Sequence, residues 1–159
     1  DAVKMENKIY IGIDPGTSTG LAVICAGNYH IIRTAGIIEA MNMVLYYKNN
    51  FPDIYGPVSV YCENPYKRIW YGDTGRERLQ GAGSVKRDFA IWQEYCNYNN
   101  LEFTGVAPRE IGCEFDRLAV FTAATGWTQR TSQHARDAAK IIYRFFNNNG
   151  KIPKPGPGI

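Results

Sequence analysis

The chain has 159 residues, 45% of them hydrophobic and 21% charged, which is the size and balance of one globular domain and too little for two full ones. Its net charge of +3 does not by itself mark a nucleic-acid binder, and its longest apolar runs fall far short of the roughly 20 residues that cross a bilayer, which excludes a membrane span. Cys25, Cys62, Cys96 and Cys113 lie far apart, with no CxxC pair and no cluster with His30 or His134, so reduced, mostly buried thiols of a cytoplasmic protein are expected rather than a zinc site or a disulfide framework.

Residues 1–7 are read as an N-terminal extension. Lys8 to Asp14 (KIYIGID) alternates Ile9, Ile11 and Ile13 and stops at Pro15-Gly16, the pattern of a strand ending in a turn. Leu21 to Cys25 and Tyr29 to Thr34 are rich in β-formers and are separated by the hairpin signal Ala26-Gly27-Asn28, so a three-stranded meander is predicted. From Ile37 to about Asn49 the apolar residues recur at helical spacing until Asn49-Asn50 and Pro52 end the pattern. Val58 to Glu63 (VSVYCE) is a fourth strand, closed by Asn64-Pro65.

Residues 65–83 show no clear period and are expected to form a loop or frayed helix end, leading into a helix from Ser84 to about Asn99. Leu101 to Val106 reads as a fifth strand, and Pro108 suits the first turn of a helix. Further helices are predicted across Phe115–Ala124 and His134–Phe146, with residues 147–159 a mobile tail rich in Asn, Gly and Pro. Three antiparallel strands followed by alternating strands and helices imply an α/β fold, a mixed five-stranded sheet with helices on both faces. This is the order of the ribonuclease H-like fold, with residues 8–146 as its domain.

Two acids stand at strand ends, Asp14 after the first strand and Glu63 after the fourth. If those strands are parallel neighbours, both carboxylates meet at one sheet edge, where α/β folds place their ligands. A cation between them would relieve their repulsion, and hard oxygen donors favour Mg²⁺ or Mn²⁺ over zinc. By position alone, Asp14 is equally a turn cap and Glu63 a solvent-facing strand end. The helix at QHARDAA adds His134 and Asp137, three residues apart on one face, although either is also ordinary near a helix start.

The string IGIDPGTSTGLAV at residues 11–23 resembles the opening hairpin of RuvC-like Holliday junction resolvases. The similarity continues in order through VYCENPY, GAGSVKRDFAIWQEY, TGVAPREIG and HARDAAKII, spanning roughly residues 8–146. The resemblance implies that Asp14, Glu63 and Asp137 are metal-binding carboxylates. His134 stands where that family has Asp or His, which leaves open whether it ligates metal or positions water or the scissile phosphate. It also implies two Mg²⁺ ions about 4 Å apart, replaceable by Mn²⁺, driving in-line hydrolysis that leaves 5′-phosphate ends. The substrate would be branched DNA, either four-way junctions or forks and flaps, cut by a two-fold homodimer formed through the helix at Ser84–Asn99.

Tyr66 falls where the family carries an aromatic wedge, though a surface tyrosine in an aromatic loop reads the same way. Between Asn64 and Asp88 six bases, Lys67, Arg68, Arg76, Arg78, Lys86 and Arg87, face three acids, a surplus equal to the net charge of the whole chain. Arg130 extends a second basic stretch, together with Arg117, which the resemblance sets in place of a functional lysine of the family. With Tyr66, Trp70 and Tyr71 interleaved, the first segment suits phosphates and unstacked bases, and equally describes a solvated loop of mixed charge. Two other readings compete with a nuclease. A non-catalytic branched-DNA binder would be expected to have lost the acids. An actin-like or sugar-kinase-type phosphotransferase, suggested by Asp-Pro-Gly-Thr, pairs two such domains where this length supplies one.

Overall fold

The computed structural model describes residues 8–67, 76–111 and 117–148, with side chains for all of these except 67, 76–82, 109, 147 and 148. Strands β1 (Ile9–Asp14), β2 (Ser18–Cys25) and β3 (Asn28–Gly36) form the expected antiparallel meander. Helix α1 (Ile37–Asn50) follows, then the four-residue α2 (Pro52–Tyr55), β4 (Val58–Glu63), α3 (Arg76–Tyr98), β5 (Glu102–Val106), α4 (Leu118–Thr125) and α5 (Gln133–Asn148). The sheet order is β3-β2-β1-β4-β5, with β4 parallel to β1 and β5 parallel to β4. This is the mixed five-stranded, ribonuclease H-like sheet that the element order implies.

Strand alternation divides the interior into two layers. Ile9, Ile11, Ile13, Leu21, Val23, Val60 and Cys62 pack against Ala40, Val44 and Tyr47 of α1 and Phe89, Trp92 and Cys96 of α3. Tyr10, Ala22, Ile24 and Tyr61 face the other way, onto Phe121 of α4 and Ala135, Ala138, Ala139, Ile141, Ile142 and Phe146 of α5. Each fully buried Ile or Phe contributes about 1.5–3 kcal/mol, so the apolar stripe of α5 sets where that helix lies. Cys25, Cys62 and Cys96 are buried free thiols, as expected, while Cys113 lies outside the described residues.

Several boundaries differ from expectation. Helix α3 begins at Arg76, eight residues before Ser84. The segment RERLQGAG carries no apolar stripe, but Arg, Glu, Leu and Gln favour helix, and extending a helix already anchored by Phe89 and Trp92 avoids the cost of nucleation. Pro52 opens the short α2 rather than only ending α1. Pro108 starts a three-residue 3₁₀ turn, closed by Glu110 accepting the Ala107 N–H (3.1 Å), and Ile111 is already extended, so the expected helix does not continue. Helix α5 runs through Asn147 and Asn148, which were expected in the tail of 147–159, while the Phe115 start of the next helix and residues 1–7 and 149–159 lie outside the described residues. Among the described residues no helix is long and apolar enough to cross a membrane.

Candidate metal centre

The register of the two central strands pairs Ile13 with Cys62, which carries Asp14 and Glu63 one step further to the same C-terminal edge of the sheet. Asp14 also pairs with Gly20 on β2. Helix α5 crosses this corner unusually close to the backbone. A Cβ on Gly20 would overlap the His134 carbonyl, and one on Gly12 would overlap the carbonyl of Ala138. The missing side chains let the first two turns of α5 settle on the strand ends. Ser132 secures the start of the helix: its Oγ accepts the Ala135 N–H (3.1 Å) and bonds the Thr34 hydroxyl on β3.

This packing joins residues 120 positions apart. His134 Nδ1 lies 2.8 Å from Asp14 Oδ2. One ligand atom from each of Asp14, His134 and Asp137 falls within 4.8 Å of the others. The Asp14 side chain is 16% exposed and that of His134 57%, so the cluster has a buried floor and an open rim. Asp137 Oδ1 accepts a hydrogen bond from Gln133 Nε2 (2.8 Å) and lies 3.9 Å from Lys140 Nζ.

Burial pushes the Asp14 carboxyl up to about 6. The His134 hydrogen bond and charge pull it down, while the Asp137 carboxylate, and more weakly that of Glu63, push it up. Glu63 is half-buried at the same edge, near enough for its charge to act on Asp14, but it is not one of the three residues whose ligand atoms converge. The register that aligns Glu63 with Asp14 puts it on the neighbouring strand, whereas α5 descends over β1 and β2. An ionised Asp14 can only accept, so Nδ1 of His134 then carries the proton of their hydrogen bond. Two carboxylates and an imidazole form a donor set for a divalent cation, whose charge would offset the repulsion that perturbs Asp14.

Near this corner the described part of the basic segment is more specific than its composition. Tyr66 sits on the 3₁₀ turn Pro65–Lys67, 60% exposed, with its N–H donated to Asn64 Oδ1 (3.0 Å). Its ring meets Phe89 edge to face at 6.0 Å, and Lys86 Nζ lies 5.2 Å from the ring centroid. Arg87 is paired with Asp88 at 3.3 Å, and Arg117 and Arg130 are exposed before α4 and before α5. Arg68, Trp70 and Tyr71, and the side chains of Lys67, Arg76 and Arg78, lie outside the described residues.

Sequence reasoning missed Gln133 as a partner of Asp137 and did not connect Gly12 or Gly20 to α5. The glycines were visible in IGIDPGTSTG, but the carbonyls they make room for, of Ala138 and His134, are more than a hundred residues further along the chain.

Neither models of known protein families nor curated protein sequences match this chain. Solved structures do. Thermus thermophilus RuvC in complex with a Holliday junction substrate is similar at a TM-score of 0.56 and 14% identity, over 94% of this chain and 99% of that one. A second Thermus thermophilus RuvC structure gives a TM-score of 0.50 and 15% identity, over 93% and 99% of the two chains. At such identity the likeness is one of fold, and it covers nearly the whole of both chains.

Proposed function

We propose that this protein is a divalent-metal-dependent endodeoxyribonuclease that nicks branched DNA, with four-way junctions as its main substrate. The observation that carries the reading is the convergence of Asp14, His134 and Asp137 at the end of β1, on a fold similar over 94% of this chain to a solved RuvC–junction complex.

The donor set fits a hard divalent ion. Asp14 and Asp137 supply oxygen and His134 supplies nitrogen, and the Asp14 carboxyl, pushed up first by burial and then by the Asp137 carboxylate, is a group that a bound cation would favour in its ionised form. Glu63, on the adjacent strand, is the carboxylate we assign to a second ion. Mg²⁺ or Mn²⁺ held by these residues would lower the pKa of a bound water, so that the hydroxide it yields could attack phosphorus in line, and would supply positive charge for the departing 3′ oxygen. Asp14 must give up its proton for the site to load. His134, held by Asp14 through Nδ1, has Nε2 left to serve as a ligand or as a positioning group for water or phosphate.

Tyr66 offers an exposed aromatic face for an unstacked base near that rim. Lys86, Arg117 and Arg130 offer phosphate contacts, and Lys67, Arg68, Arg76, Arg78 and Arg87 are assigned to the same DNA surface from the sequence. Paired cuts across a four-way junction need two sites, which we assign to a two-fold homodimer through α3, where Ile91 and Tyr98 are exposed. A non-catalytic junction binder would not need the three acids, and all three are retained.

The test is nicking of synthetic four-way junctions, forks and flaps with Mg²⁺ by wild type, Asp14→Asn and Asp137→Asn. Wild-type nicking that leaves 5′ phosphates, lost in both variants, supports the proposal. Equal cutting by both variants overturns the site, and metal-independent binding without cutting by the wild type replaces the enzyme with a binder.

A further inference from the structure

A polar network on the first turns of α5 leads into the candidate metal centre from outside. Arg136 is half-buried on α5, and its guanidinium is held by three acceptors. Nη1 donates to the Thr131 carbonyl (2.9 Å) and Thr131 Oγ1 (3.0 Å), and Nη2 donates to Gln133 Oε1 (3.0 Å). The other end of the same amide, Gln133 Nε2, donates to Asp137 Oδ1 at 2.8 Å.

These contacts fix which way round the amide sits. Turning it over would set Oε1 against the Asp137 carboxylate and the NH₂ group against the guanidinium, replacing two attractive contacts with two repulsive ones. The amide therefore acts as a one-way coupler between a pinned cation and an acid of the site. With Oδ1 occupied by Gln133, the rotamer of Asp137 is held and Oδ2 remains for a ligand. Lys140, 3.9 Å from the same Oδ1, is too distant to do this alone. Groups that orient a ligating side chain in this way typically change metal affinity about 10- to 100-fold when removed.

We propose that Gln133 is a positioning residue for Asp137: its amide, locked in orientation by Arg136, holds the carboxylate where it faces Asp14 and His134. The proposal rests on the reading of that cluster as a metal site, and it adds a determinant outside the ligand set. Gln133 is exposed at the first turn of α5, so replacing it leaves the apolar anchor of the helix untouched.

The experiment is a Mn²⁺ titration of DNA-free protein, following the electron paramagnetic resonance signal of free Mn²⁺, on wild type, Gln133→Met, Arg136→Met and the double variant. Methionine keeps length and helix propensity while removing the hydrogen bonds. Gln133→Met is expected to weaken Mn²⁺ binding about tenfold, and Arg136→Met by less, because a freed amide still finds Asp137 part of the time. The double variant should bind no more weakly than Gln133→Met, since Arg136 acts through the amide. On junction DNA the Mg²⁺ concentration for half-maximal nicking should rise by the same factor, with the rate at saturating Mg²⁺ nearly kept.

Gln133→Met within about twofold of wild type overturns the proposal, whatever its melting temperature does, and so does a double variant showing the product of the two single losses. Wild-type protein that binds no Mn²⁺ overturns the metal site together with this inference. Mn²⁺ binding that depends on Gln133 in a protein that cuts no DNA supports the inference and refutes the nuclease.

Discussion

The backbone carbonyl of His134 occupies the space that a side chain on Gly20 would need. That contact sets how deeply α5 sits on the sheet, and with it the distance from His134 and Asp137 to Asp14. Gly20→Ala is therefore expected to lift the start of α5, destabilise the fold by about 1–3 kcal/mol and weaken Mn²⁺ binding. Gly83→Ala is the contrast. Its Cβ would meet nothing within 4 Å, so in helix α3 it should stabilise by about 0.5–1 kcal/mol and leave metal binding alone. Thermal melts and Mn²⁺ titrations of both variants check the pair.

Asp14→Asn should separate stability from activity. The folded-state carboxyl sits near 6, above its ordinary value of 3.8, so between these values the native state binds more protons than the unfolded chain. Stability from this group is present below the unfolded value and is lost as pH rises through about 6. Without metal, the wild type should lose melting temperature between pH 5 and pH 7 relative to Asp14→Asn, which has no charge there to bury. At pH 7.5 the variant should melt higher and nick junctions at least about 100-fold more slowly, a loss of roughly 2.7 kcal/mol of transition-state stabilisation.

Divalent metal should reverse that pH trend. A cation that binds only the native state at 100 times its Kd stabilises by about 2.7 kcal/mol. Mg²⁺ or Mn²⁺ should thus raise the melting temperature at pH 7.5, and chelation should return it to the apo value and abolish nicking. Below about pH 6 the proton on Asp14 competes with the ion, so the metal-induced shift should shrink as pH falls. A shift independent of pH between 5 and 7.5 would place the metal elsewhere.

Tyr66 and Lys86 make a graded prediction at the DNA surface. Stacking of one base on an aromatic is worth about 1–3 kcal/mol, so Tyr66→Ala should weaken junction binding roughly 5- to 150-fold while Tyr66→Phe keeps most of it. Lys86→Met removes both the contact 5.2 Å over the ring and one cation, and should cost less than Tyr66→Ala. Its effect should shrink as salt rises, whereas that of Tyr66→Ala should persist. Fluorescence anisotropy on junctions at two salt concentrations distinguishes the two residues.

Much of the architecture was legible because it follows from local periodicity. Alternating Ile9, Ile11 and Ile13 specify a strand with two faces, and the 3.6-residue recurrence of Ala138, Ile141, Ile142 and Phe145 specifies a helix with one. Asp14 and Glu63 could be placed at strand ends because Pro15 and Pro65 stop the strands that carry them. The start of α3 was not legible, since a helix extended from an anchored end needs no apolar stripe of its own. Nor was the amide of Gln133, whose importance depends on which way its two ends point.

By itself, then, the sequence determined the order and faces of the strands and helices, and which acids stand at their ends, because both depend on neighbours a few residues apart. Only the tertiary structure decided that His134 Nδ1 would lie 2.8 Å from Asp14 Oδ2, that Asp137 would complete the trio, and that Glu63 would stand beside it rather than in it. Those distances follow from how apolar burial seats α5 on a glycine-lined corner of the sheet, a fit between surfaces that no spacing along the chain records.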